Sequence, residues 1–192
     1  MNSIKKVLSI ALTFPLLSLL GCKSTPSYSS DYAQARNRIQ GVNLDANKAQ
    51  EIGLRFTSAF NTLGTDAFIN NATNLYDHSL FINDTLSQFN SKNQLITHFK
   101  AMNQRVKNVS VELLNTSFHH DSAYVHWYMR YDFKFLGSTR RMASYGISEI
   151  KINTDGKIIF QQDFWDPANG LYRSLPYAGG IYSWLLPFKK SS

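Results

Sequence analysis

The 192-residue chain has 20 basic and 13 acidic residues, and 14% of it is aromatic. Its basic side chains are scattered, adjacent only at Lys5-Lys6, Arg140-Arg141 and Lys189-Lys190. No stripe exists to follow a phosphate backbone, which argues against a nucleic-acid partner. Cys22 is the single cysteine, so an internal disulfide and thiol-pair chemistry are excluded.

Lys5 and Lys6 precede an apolar run from Val7 to Leu20, then Gly21 and Cys22. A positive flank, a short apolar core and small residues before a cut mark an export signal. The run is shorter than the roughly 20 residues a spanning helix needs, and Pro15 interrupts it. Leu19, Leu20, Gly21 and Cys22 resemble the cleavage box of bacterial lipoprotein precursors. That resemblance implies a signal peptide over 1–21 and a diacylglycerol on the Cys22 sulfur. Lys23 in place of Asp implies sorting to the outer membrane, facing the periplasm. Without residues 1–21 the chain keeps 18 basic against 13 acidic residues, a net +5. Membrane residence would then rest on the lipid.

Residues 22–46 are polar and rich in Ser, and read as a lipidated start followed by a flexible spacer. Residues 47–192 form the expected domain. Ile52, Phe56 and Phe60 recur every four residues and predict a helix over Ala46 to Leu63. Thr65 or Asp66 starts a second helix reaching about Tyr76, Leu80 to Asn83 is extended, and Ser91 caps a third helix carrying Leu95, Ile96, Phe99 and Met102. From Val109 the period changes to two. Strands follow from Val109, over Ala123 to Phe135, over Arg140 to Ile152 and over Ile158 to Trp165, with Asp155-Gly156 marking a tight turn. The tail from Leu171 to Phe188 is apolar, broken at Pro176 and Gly179-Gly180. It is expected to close a pocket, cover an edge, meet a partner or lie against the membrane. Three helices before a run of strands predict an α+β fold: a cone-shaped, curved antiparallel sheet covered by the N-terminal helices.

Leu75 to Asp84, Tyr145 to Lys157, and Gln162 through Asp166 resemble the family of nuclear transport factor 2 and the SnoaL-like polyketide cyclases, across roughly Lys48 to Lys190. The resemblance implies a cystatin-like cone with an enclosed pocket. It also places the cyclases' acid/base aspartate at Asp163 and the ketosteroid isomerases' proton-shuttling aspartate at Asp84. The isomerases' oxyanion donors fall at Phe56 and Ser148. Phe56 has no hydroxyl, which argues against steroid isomerisation.

Asp163 shares parity with Gln161 and Trp165 in a mostly apolar strand, where burial would raise its proton affinity toward the range useful for acid–base work. Pairing with Arg130 is the competing role. For Asp84, an Asx turn competes with chemistry. His126, Tyr128 and Arg130 alternate against Trp127, Met129 and Tyr131, and period leaves the inner face open. The expected pocket lining is Phe56, Phe60, Tyr128, Arg130, Ser148, Gln161 and Trp165. His119 and His120 point to opposite faces of a strand, so no metal is expected, and no motif calls for a cofactor. Expected partners are the membrane through the lipid, a small apolar ligand, and a second copy or an envelope protein. The leading expectation is a lipid-anchored binding domain, and the alternative is a cofactor-independent cyclase-, isomerase- or dehydratase-like enzyme using Asp163.

Overall fold

Asp45 sits in extended backbone and accepts the Lys48 amide at 2.7 Å, satisfying one of the free donors that open a helix. The helix it starts, and every other element below, comes from a computed structural model that describes residues 27–172. The helices are α1 (Ser27–Arg38), α2 (Ala46–Phe60), α3 (Phe68–Leu75), α4 (Lys92–Arg105) and the short α5 (Pro167–Gly170). The strands are β1 (Tyr76–Asn83), β2 (Gln88–Ser91), β3 (Val106–His119), β4 (Ser122–Phe135), β5 (Ser138–Ile152) and β6 (Ile158–Trp165).

The six strands make one sheet in the order β2-β1-β6-β5-β4-β3. Three successive hairpins make β3 to β6 antiparallel. In the last of them Asn153 accepts the amides of Asp155 and Lys157, and Gly156 takes a φ of +71°, a left-handed geometry that suits glycine. β1 lies parallel to β6. The antiparallel cone is therefore corrected. The fold is α+β with a mixed, open sheet whose edges are β2 and β3. The physical reason is that β1 pairs with a strand nearly eighty residues away, in a direction no local turn dictates.

α2, α3 and α4 bury one face of the sheet in a single core that includes Ile52, Phe56, Phe68, Leu95, Phe99, Val125 and Ile150. α2 lies close to β3 because Gly53 has no side chain: a Cβ there would stand 2.5 Å from the Thr116 methyl. Asn61 then clips β3, donating to the Val111 carbonyl and accepting its amide, both at 2.7 Å.

Residues 27–38, within the stretch read as a flexible spacer, are helical and docked. α1 covers the opposite face of the sheet, where Tyr32, Ala35 and Ile39 pack on Phe81 and Phe160. It buries two outward-pointing charges of β5. Glu149 is 1% exposed and accepts from Tyr32 and from Arg36, each at 2.7 Å. Lys151 donates to the carbonyls of Arg36 and Ile39 and pairs with Asp121 at 3.0 Å. Buried charges persist where they are paired and fully hydrogen-bonded.

Candidate functional site

Alternation along β6 turns Phe160 toward α1 and Gln161, Asp163 and Trp165 toward the helices α2 to α4. Asp163 lies opposite Ser148 of β5, and the Ser148 hydroxyl donates to its Oδ1 at 2.6 Å. Trp127 Nε1 donates to the same Ser148 oxygen at 2.9 Å. Because an indole nitrogen can only donate, the serine's one hydrogen is left for the carboxyl. Gln161 Nε2 donates to both carboxyl oxygens at 2.9 and 3.0 Å, and its own Oε1 accepts from the Tyr76 hydroxyl at 2.7 Å. Two donor relays, Trp127 through Ser148 and Tyr76 through Gln161, therefore converge on Asp163. Gly146 permits the first: a Cβ there would lie 2.3 Å from the Trp127 ring.

No cation pairs with Asp163 among the described residues. Burial raises its pKa to about 7; hydrogen bonds from Ser148 and Gln161 pull it down, and the charge of Asp84 adds to the rise. The same burial carries Tyr76 well above the usual phenol range.

Asp84 follows β1. Its Oδ1 accepts the amides of Leu86 and Ser87 at 2.9 and 2.6 Å, an Asx-type turn, while its Oδ2 meets His98 Nε2 of α4 at 3.1 Å. Trp165 Nε1 donates to the Asp84 carbonyl, and the Thr85 hydroxyl to the Asp163 carbonyl, at 2.9 and 2.6 Å. These bonds fix the end of β1 beside that of β6.

Between the helices and the sheet lies a cavity of about 480 Å³, lined mainly by apolar and aromatic side chains. Phe56, Phe60, Gln161, Trp165, Asp84 and Asp163 line it. Ser148 stands behind Asp163, fully buried. Tyr128 and Arg130 are corrected: β4 turns Trp127, Met129, Tyr131 and Phe133 inward. On the other face Arg130 lies over the Tyr128 ring at 5.9 Å, and Tyr128 packs on Tyr145 at 4.6 Å. Arg130 therefore does not serve Asp163.

Sequence reasoning overlooked Tyr76 and His98 as members of this site and left Trp127 on one of two open faces of its strand. A glycine directly across from Trp127 is the signal that would have pointed the tryptophan inward. Among the described residues no group of three His, Cys, Asp or Glu is placed to hold a metal. Cys22 and the tail beyond Tyr172 lie outside the described residues. In the described domain no helix is long and apolar enough to cross a bilayer, so the structure lends the expected outer-membrane lipoprotein no support there.

No family model matches the chain, and no curated protein matches it. Solved structures do. An LEH-like epoxide hydrolase from M. tuberculosis is 14% identical with a TM-score of 0.54, over 74% of this chain and 98% of that one. A SnoaL-like polyketide-cyclase candidate from Shewanella denitrificans is 11% identical with a TM-score of 0.55, over 63% and 92%. An NTF2-like protein of unknown function from Exiguobacterium is 14% identical with a TM-score of 0.51, over 60% and 98%. At these identities the likeness speaks for fold and leaves chemistry to the residues. The described domain thus carries the fold shared by NTF2-like and SnoaL-like proteins.

Proposed function

We propose that the domain binds a small, largely apolar molecule in the 480 Å³ cavity and that Asp163 exchanges a proton with it. The reaction class is cofactor-independent isomerisation, cyclisation or dehydration. The observation that carries this reading is a carboxyl on the cavity wall with no cation partner among the described residues, held by two oriented donors and titrating near 7. A group poised there can both give and take a proton at neutral pH. Ser148 and Gln161 stabilise the carboxylate each time the proton leaves, so the group can cycle. Binding without chemistry is the second reading, favoured by the low exposure of Asp163, 9%.

The test incubates the purified chain with an extract of small metabolites, finds what it retains by native mass spectrometry and separates the released isomers by chromatography, run in parallel on Asp163→Asn. The expected result is that both forms retain an apolar compound and only the unaltered chain converts it. Equal conversion by both forms overturns the role of Asp163, and retention of nothing overturns the cavity reading.

The location is proposed separately, on the sequence from Lys5 to Cys22 alone: export, with attachment to the outer membrane through the Cys22 sulfur. Fractionation tests it, since Cys22→Ser should move the chain from the membrane fraction to the soluble periplasm. An unchanged distribution would overturn it.

A further inference from the structure

Four acidic, basic or histidine side chains line the cavity: Asp84, His98, Arg105 and Asp163. Three are accounted for by one another and by local donors. Asp84 and His98 pair at 3.1 Å, and Asp163 is bonded by Ser148 and Gln161. Arg105 ends α4 and makes no salt bridge or side-chain hydrogen bond among the described residues. It is exposed, so it stands at a mouth of the cavity.

Position along the elements sets where that mouth lies. Trp127, beside Ser148, and Phe133, paired with Val106 next to Arg105, line the same cavity. They are six residues apart on one unbroken strand, which separates the Asp163 end from the Arg105 end by roughly 20 Å. His98 and Arg105 are seven residues apart on α4, two turns along one helix face and about 10 Å. The order along the cavity is therefore Asp163, then the Asp84–His98 pair, then Arg105. A ligand that touches both ends of the cavity therefore needs an extended apolar body.

We propose that the ligand is an anionic amphiphile, a carboxylic acid with an extended apolar body, whose carboxylate rests on Arg105 and whose far end reaches Asp163. This rests on the cavity being a ligand site, and it does not depend on proton transfer by Asp163. Arg105 supplies charge complementarity at the mouth, and the aromatic wall supplies the affinity of the body.

Calorimetric titration of the purified chain at pH 8 and low salt compares dodecanoate, dodecanol and dodecyltrimethylammonium, each below its aggregation limit. Dodecanoate should bind about 5-fold more tightly than dodecanol, the upper range for a partly solvated ion pair. Arg105→Gln should erase that preference, and Arg105→Glu should turn the preference toward dodecyltrimethylammonium. Equal binding of dodecanoate and dodecanol, or a preference that survives Arg105→Gln, overturns the anionic assignment and leaves the cavity reading standing. Binding of none of the three overturns both.

Discussion

Replacing Asp163 with Asn removes the one carboxyl that burial lifts from its ordinary 3.8 to about 7. Between those two values the folded chain holds a proton that the unfolded chain has given up. Stability therefore falls as pH rises from about 4 to about 7 and is level above. At about 1.36 kcal/mol per pH unit, a displacement of about three units makes the loss roughly 4 kcal/mol. Asparagine does not titrate, so the slope should vanish. The variant carries its own cost, because its amide would face the Gln161 amide and Gln161 must turn, forfeiting a bond of about 1 kcal/mol. The two stability curves should then cross: the variant is equal or weaker near pH 4.5 and about 3 kcal/mol stronger at pH 8. Asp121 does not confuse the comparison. Although burial opposes it, the Gly41 amide and Lys151 hold its pKa below the usual value, so its opposite slope lies in more acid solution and is common to both proteins. Urea midpoints at half-unit steps of pH, at constant m-value, read the difference. Parallel curves from pH 4.5 to 8.5 would refute the reasoning.

Other substitutions probe the supports of the site. Gly146→Ala forces a methyl into the Trp127 ring; overpacking of this kind costs about 1–3 kcal/mol, and tryptophan emission should shift as Trp127 leaves Ser148. Arg36→Ala strands the buried Glu149 with only tyrosine donors. The expected loss is about 1–3 kcal/mol, and adding Glu149→Gln should recover part of it in a double-mutant cycle. Asn61→Ala frees both backbone groups of Val111 on the edge strand β3; the cost is about 1–3 kcal/mol, with faster hydrogen exchange at the Val111 amide and no change at Ser148.

What could be read in advance follows the range of the interactions. Ile158–Trp165 was legible because its composition, and the Asp155-Gly156 turn before it, act locally. The parity of Gln161, Asp163 and Trp165 follows from the same strand. β2, four residues long, carries too little pattern to register. The parallel pairing of β1 with β6 depends on contacts nearly eighty residues apart, so patterning could not set its direction. α1 was missed for a different reason: Tyr28, Tyr32, Ala35 and Ile39 do recur at helical spacing, but polar neighbours hide them. The inner face of β4 was undecidable because both alternations carry aromatics, and Gly146 settles it from the neighbouring strand. The Asp84–His98 contact joins a turn to a helix face fourteen residues on, and only the packing of α4 brings them together.

Carbon-13 NMR titration of the Asp163 carboxyl, assigned by Asp163→Asn and repeated with the cavity filled by an apolar ligand, tests the proposed site most directly. A midpoint near 7 that rises further when the ligand expels water is the expected result. A midpoint near 4, or one indifferent to ligand, would contradict a proton-exchanging carboxyl on the wall of a ligand cavity.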